Sequence, residues 1–497
     1  MANKKLISII LCVVASLVAL LVPAQVYGID GLSVVEQRVI AIFILAALLW
    51  ITEPIPIWTT SVFVMVLMLL TVSSSSFAPF IDANTYALSA EDAASSGKPL
   101  LGNLIKYKDI MAAFADPIIM LFMGGFVLAI SAGKIGLDGQ LAKVLLAPFG
   151  KDPKIVMLGF LVVTGIFSMF MSNTATAAMM LAIMNPVFKS MRGEDGTLDR
   201  GVVGLAMAIP IGANIGGMGT PIGTPPNAVA MKYLNDPDYL NLGVGFGTWM
   251  MVMIPLVLVI FAFAWILLTK MYPFSMEEIK LKIDSNAFAN APKRDKQIIC
   301  ATFAITIFLW VTDRLTGINA NIVALVPFAV LSVTGIFTKK DLSLIDWDVL
   351  WLVAGGFALG IGLEKTGLAK HMVESIPFGE WSAIVVMVGS GLLCLLMSTF
   401  MSNSASAALL LPIMYTVGKG MDLGAYGGVC TMLLGVALSA SLAMALPIST
   451  PPNALAYSTG NIKQKDMATV GIIVGMFGFA LAFAVLICIA GPLNIFG

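Results

Sequence analysis

The side chains able to do chemistry in this chain come in duplicate. Ser168, three residues, then Ser172-Asn173-Thr174-Ala175-Thr176-Ala177-Ala178 recurs as Ser398, three residues, then Ser402-Asn403-Ser404-Ala405-Ser406-Ala407-Ala408. Pro221-Ile222-Gly223-Thr224-Pro225-Pro226-Asn227-Ala228 recurs as Pro447-Ile448-Ser449-Thr450-Pro451-Pro452-Asn453-Ala454, with one change in eight positions. These are neutral donors and acceptors, suited to holding ligands. A serine nucleophile needs a base, and the only histidine is His371. The five cysteines, Cys12, Cys300, Cys394, Cys430 and Cys488, sit in or beside apolar runs without CxxC spacing, so they read as buried small hydrophobes. No catalytic residue is assigned, and a resident metal centre or organic cofactor lacks its usual ligands.

Ser172-Asn173-Thr174 and Ser402-Asn403-Ser404 stand directly before alanine-rich apolar runs. Ser, Asn and Thr are preferred helix N-caps, so each motif predicts a helix amino end with free N–H groups and a positive dipole, an anion site. Two such ends suit an anion with two negative groups. Proline pairs inside apolar segments remove backbone donors, so the helix must open at Thr224-Pro225-Pro226 and at Thr450-Pro451-Pro452. The freed carbonyls near Gly223 and Ser449 become hard oxygen ligands of the kind sodium prefers, and Gly212, Gly216, Gly217 and Gly219 permit close backbone approach.

The absent charges sharpen this. Residues 156–188, 201–231, 382–418 and 423–462 contain no Asp, Glu, Lys, Arg or His. A dianion there meets no side-chain cation, so a co-bound cation is the simplest compensation. Sodium fits, since proton coupling would want an intramembrane carboxylate or histidine. A purely structural role competes for part of the set: Ser168, Ser398, Thr176 and Ser406 serve equally well as hydrogen-bonding glue between helices, and the prolines as shape. Gly217-Met218-Gly219 lacks the spacing and the lysine of a nucleotide loop. Glu53 and Asp313, beside Trp50 and Trp310, are expected at membrane interfaces and not in a site.

The elements that must position these groups are membrane spans. The chain has 497 residues, 59% hydrophobic and 11% charged, and equal numbers of acidic and basic residues give no basic surface for nucleic acid. Eleven apolar segments are long enough to span, near 6–26, 36–51, 57–72, 116–133, 201–231, 244–269, 297–312, 321–337, 347–363, 425–458 and 467–490. The first resembles a signal peptide after Lys4 and Lys5 but reads by its length as an anchoring helix. Segments 155–188 and 382–418, each interrupted by a polar cluster, read as re-entrant hairpins. With a cytoplasmic amino terminus this order places nineteen of the 28 Lys and Arg inside, among them Lys143, Lys154, Arg192, Arg200, Lys280 and Lys282, and puts the carboxyl terminus outside. Two polar inserts remain. One is 73–110; the other is 272–297, where Met276, Ile279 and Ile283 at helical spacing suit an interfacial helix or a solvated linker equally.

Further matches keep the order of the repeat: Gly124-Gly125-Phe126 with Gly355-Gly356-Phe357, Lys134-Ile135-Gly136-Leu137 with Lys365-Thr366-Gly367-Leu368, and weakly Trp50 to Glu53 with Trp310 to Asp313. An odd number of crossings separates the halves, so the second is inverted, an architecture of secondary transporters. The fold class expected is an all-α polytopic membrane protein. Residues 1–115 and 244–345 form scaffold helices; 116–243 and 346–497 form transport regions with hairpins and broken helices.

The paired hairpin motifs, each followed by Thr-Pro-Pro-Asn, resemble the signature of the divalent anion:sodium symporter family, in its bacterial sodium:dicarboxylate form, over nearly the whole chain. The resemblance implies sodium-coupled uptake of C4 dicarboxylates such as succinate, malate or fumarate by homodimers in the inner membrane, with transport regions that shift like an elevator. It implies carboxylate contacts at Asn173, Thr174, Asn403 and Ser404, with Thr224, Pro225, Thr450 and Pro451 beside them. It implies one sodium at Ser168, Ser172, Asn173 and Gly223, and a second at Ser398, Ser402, Asn403 and Ser449. Ser404 stands where the family usually has Thr, and Ser449 where a glycine or small apolar residue is expected, which bears on the choice of anion. Exchange of dicarboxylates, or sodium-coupled carriage of sulfate or citrate, are the alternatives within this fold; an anion channel is the alternative outside it.

Overall fold

The computed structural model describes residues 2–29, 31–191, 199–279, 286–375, 380–493 and 495–496; Arg192, Lys280, Lys282 and Ile283 lie outside this set. Three helices open the chain: α1 (Ala2–Leu21), α2 (Val34–Thr52) and α3 (Ile57–Thr71). Helix α2 starts on a capping box, with Ser33 and Glu36 each satisfying the other's backbone N–H. Then come α4 (Pro117–Lys134), α5 (Pro153–Ser168), α6 (Asn173–Ser190), α7 (Gly201–Gly216), α8 (Pro225–Asn235) and α9 (Phe246–Met271). The second half holds α10 (Lys293–Val311), α11 (Ala320–Val333), α12 (Trp347–Thr366), α13 (Ala383–Phe400), α14 (Asn403–Lys419), α15 (Gly428–Leu442), α16 (Pro451–Ser458) and α17 (Gln464–Val485). Among the described residues there are isolated β-bridges but no strand.

Seven helical segments of the described residues are at least 18 residues long and apolar enough to cross a bilayer, and shorter apolar helices accompany them. The two proline-interrupted spans are α7 with α8 and α15 with α16; the two interrupted segments are α5 with α6 and α13 with α14. Large apolar side chains stay exposed on the periphery, such as Leu6 and Leu17 on α1, Phe308 on α10 and Val385 and Phe400 on α13. Such a surface is stable only against lipid or another apolar partner.

The repeats share their joints. Gly136 and Gly367 adopt the left-handed conformation, with φ 69° and 94°, and turn the chain from α4 and α12 into the short helices Leu137–Leu146 and Leu368–Ser375. The Trp50 indole donates to Ile57 O at 3.3 Å and that of Trp310 to Ala320 O at 3.0 Å, so each ties its helix to the start of the next. Both tryptophans are fully buried. A Cβ on Gly124 would overlap the Ala324 backbone and one on Gly355 would overlap Ser61, which marks close crossings of α4 with α11 and of α12 with α3.

The inserts differ from one another. Residues 73–110 form three short helices tied by bridges between Ser73 and Ile105 and between Ala87 and Leu100. Arg38 of α2 holds them, donating to Thr71 O at 2.8 Å and Phe80 O at 2.7 Å and stacking over Phe80 and Tyr86. No helix covers residues 272–279. Pro273 follows the end of α9, and Asp199 takes the N–H of Ser275 at 2.9 Å, so Met276 and Ile279 are not on a helical face. Ile279 is instead buried, its N–H donating to Lys151 O at 2.8 Å, and among the described residues a short helix at Asn286–Asn290 precedes α10.

Hairpins and broken helices interdigitate between repeats. Helix α6 of the first half packs on α16 of the second, and α14 of the second packs on α8 of the first. Each hairpin thereby sets its tip against the opened turn of the opposite half.

Candidate functional site

Four helices begin at one place. Ser172 accepts from the Ala175 N–H at 3.2 Å and starts α6; Ser402 accepts from the Ala405 N–H at 3.5 Å and starts α14. Thr224 and Thr450, both extended, precede α8 and α16, whose first residues are Pro225 and Pro451. All four starts line one cavity of about 1050 Å³, with Ser172, Asn173 and Thr174 from one hairpin and Ser402, Asn403 and Ser404 from the other. Gly223, Thr224, Pro225, Ser449, Thr450 and Pro451 complete the ring. A helix amino end carries roughly half a positive charge, so four together match two negative charges in magnitude. The proline-led ends offer their dipoles but no early N–H; the N–H donors come from the tips, at Asn173, Thr174, Asn403 and Ser404.

The opened turns are braced from within. Asn227 donates to Gly217 O at 3.1 Å and Thr220 O at 2.8 Å; Asn453 donates to Met444 O at 2.7 Å and Leu446 O at 3.0 Å. Both are buried. Sequence reasoning gave them no role, although a buried amide inside a duplicated motif is a signal that could have found them.

Beside the first tip, oxygens converge. One end of the Asn173 amide lies 2.5 Å from Ser168 Oγ, 3.1 Å from Gly223 O and 3.3 Å from Ala213 O. A carbonyl Oδ1 turned there would face the Gly223 and Ala213 carbonyls beside the Ser168 hydroxyl, which can donate to it, an arrangement a cation stabilises; the opposite orientation closes the cluster by hydrogen bonds. In the second half Asn403 Oδ1 is buried without a partner among the described residues. Among the described residues the Ser398 hydroxyl has only a long contact to Cys394 Sγ, at 4.0 Å. Ser449 donates its hydroxyl to Thr399 O at 2.7 Å and accepts from the Leu446 N–H at 3.1 Å, so its carbonyl is the freer oxygen for an ion. Thr176 and Ser406, weighed above as glue, are buried with no hydrogen-bond partner among the described residues.

Among the described residues no Lys, Arg or His lines this cavity; its charged residues are Glu53, Asp138, Asp346 and Asp348. Glu53 was expected at an interface outside any site, and it stands on the cavity wall. Burial pushes its carboxyl above the usual range, offset in part by a hydrogen bond from the Ser402 backbone. Asp346 is likewise raised, by burial and then by the neighbouring Asp348 charge. Asp313 lines a second, smaller cavity of about 510 Å³ with Asp116, Lys232 and Asp236. There Lys232, 6% exposed, bonds Asp116 at 2.6 Å and Asp236 at 2.7 Å. The two cavities occupy opposite ends of α4 and α8: Asp116 to Leu121 and Met231 to Asp236 line the smaller, Phe122 to Gly133 and Pro225 the larger.

Known proteins resemble this arrangement over most of its length. A transporter of Haemophilus influenzae of uncharacterized function is 31% identical over 76% of this chain and 83% of its own. The sodium-dependent dicarboxylate transporter SdcS of Staphylococcus saprophyticus is 26% identical over 93% of this chain and 88% of its own. Its namesake in Staphylococcus aureus is 28% identical over 88% and 83%. Among solved structures, the YdaH transporter of Alcanivorax borkumensis shares the fold, with a TM-score of 0.53 at 13% identity over 86% of this chain and 97% of that one. The family model for the sodium:sulfate symporter transmembrane region matches residues 3–493, and the chain belongs to that family, the divalent anion:sodium symporters.

Proposed function

We propose that the protein is a sodium-coupled symporter of C4 dicarboxylates such as succinate, malate and fumarate. The observation that carries this is the meeting of both hairpin tips and both Thr-Pro-Pro turns around one cavity that no cationic side chain of the described residues lines. A dianion held only by helix ends and neutral donors needs cations bound with it. The names of the Staphylococcus relatives agree with that coupling.

In this proposal Asn173 and Thr174 hold one carboxylate, Asn403 and Ser404 the other, and Thr224, Pro225, Thr450 and Pro451 close the sides. One sodium takes the oxygens of Ser168, Asn173, Ala213 and Gly223 beside Ser172. The other takes Ser398, Asn403 and the Ser449 carbonyl beside Ser402. The large cavity opens to the side that the distribution of basic residues marks as cytoplasmic, and the amino terminus lies on that side. Transport then follows an elevator shift within a homodimer. Because α4 packs along α11 and α12 along α3, we place α4 and α12 with the framework. This moves the boundaries drawn from sequence at 116 and 346 past these helices.

The test is uptake of radiolabelled succinate into proteoliposomes of the purified protein under inward sodium, potassium or proton gradients. Concentrative, saturable uptake with sodium alone is expected. Sodium-indifferent uptake that needs internal dicarboxylate indicates an exchanger, and non-saturating flux indicates a channel. Inhibition by sulfate or citrate with no succinate uptake reassigns the substrate.

A further inference from the structure

Around the opened turns the two repeats align without a gap but differ at several positions, among them one polar residue that reaches across to the other half. Helices α7 and α15 end at Gly216 and Leu442, and α8 and α16 start at Pro225 and Pro451, so one offset relates the whole stretch. By that offset Asn214 of α7 corresponds to Ala440 of α15. Asn214 is buried, lines the large cavity and reaches across to the other repeat, donating to Thr450 Oγ1 and Asn453 Oδ1, each at 3.1 Å.

The orientations in this cluster are forced. Asn453 Nδ2 faces Met444 O and Leu446 O, which can only accept, so its Oδ1 must face Asn214 and receive the Asn214 amide hydrogen. The second hydrogen of Asn214 Nδ2 goes to Thr450 Oγ1, which also accepts from the Asn453 N–H at 3.3 Å. Both lone pairs of that hydroxyl are then used. Its own hydrogen has no acceptor among the described residues, and Thr450 lines the cavity. The hydroxyl is preset as a donor for whatever occupies the site.

The first repeat lacks this device. Asn227 braces its turn as Asn453 does, but its Oδ1 is buried without a partner among the described residues. The Thr224 hydroxyl caps no N–H of α8. Ala440, at the position matching Asn214, has no donor to give either of them. Asn214 also leaves its own Oδ1 buried and without a partner among the described residues, a cost an alanine would avoid.

We propose that Asn214 is a positioning residue that makes the two ends of the site unequal. Acting through Thr450, it gives the carboxylate at that end a preorganised hydrogen bond, while the end at Thr224 is held without one. This rests on the dicarboxylate reading above.

The test compares succinate uptake, as KM and maximal rate, for the wild type, Asn214→Ala, Thr450→Val and the double variant. Loss of one charge-assisted bond predicts KM raised about tenfold in each single variant, with maximal rate within about twofold. Half-saturating sodium stays unchanged, and the double variant matches Thr450→Val, because Asn214 has nothing left to orient. Since Asn214→Ala strips Asn453 of a buried partner, the isosteric pair Thr450→Val and Thr224→Val gives a test that leaves Asn214 intact. Thr224→Val is expected to raise KM by less than about threefold, as a hydroxyl without a preset direction contributes less. An unchanged KM in Asn214→Ala, additive losses in the double variant, or equal losses at Thr224 and Thr450 would overturn the proposal while leaving the proposed function intact. A wild type without succinate uptake would overturn both.

Discussion

At the scale of single residues the site depends on close approach. A Cβ at Gly217 would stand 2.8 Å from Asn173 Oδ1 and 2.9 Å from Gly223 O, inside the oxygen cluster. Overpacking of this kind costs about 1–3 kcal/mol, so Gly217→Ala should raise half-saturating sodium on the order of tenfold or more. Sodium-activation curves of succinate uptake check this, and an unchanged curve would remove the cluster as an ion site. Asn173 and Asn403 were legible in the sequence because a buried amide at a repeated helix start has few structural uses. Asn214 and Glu53 were not. Asn214 has no counterpart in the other repeat, and Glu53 reaches the cavity only because Ser402, far along the chain, folds against it.

At the scale of elements, caps and prolines announced where helices begin: α6 and α14 start after Ser172 and Ser402, and α8 and α16 at their proline pairs. The insert at 272–297 was ambiguous because Met276, Ile279 and Ile283 satisfy helical spacing by themselves, and tertiary contacts with Asp199 and Lys151 decided against a helix at 272–279. The opened turns make their own prediction. Asn227→Ala removes the side-chain donor from two buried carbonyls, Gly217 O and Thr220 O, and should cost about 1–3 kcal/mol in thermal unfolding of the purified protein. Asn453→Ala should cost more, since it also strands Asn214; the reverse order would show that the cross-repeat bonds contribute little. The start of α12 bears on ion access. Asp346→Asn removes one of four carboxylates from the cavity wall. At low ionic strength it should raise half-saturating sodium about twofold and lower the succinate KM by a similar factor, both effects fading in high salt. Insensitivity to salt would contradict this electrostatic account.

At the scale of the molecule, the duplication was legible because a match at seven of eight positions does not arise by chance. The interdigitation of each hairpin with the opposite broken helix was not, since it joins segments more than two hundred residues apart. Neither was the buried Lys232. It holds Asp236 on its own helix and Asp116 at the start of α4, so it joins the part proposed to move to the part proposed to stay. Asp116→Asn keeps an acceptor for the Ile118 N–H but weakens this tie. The shape seen here should then be less populated, and Trp58→Cys, on the cavity wall, should react severalfold more slowly with a thiol reagent supplied from the side proposed as cytoplasmic. Equal rates would mean that the pair does not hold this state.

The central claim is that one cavity between the repeats binds a dianion and sodium together. Calorimetric titration of succinate into the purified protein, in sodium chloride and in potassium chloride, tests it most directly, because coupled binding requires each ligand to strengthen the other. The account predicts saturable binding in sodium, none in potassium, and loss of the sodium-dependent signal in both Asn173→Ala and Asn403→Ala. Equal binding in the two salts would contradict it.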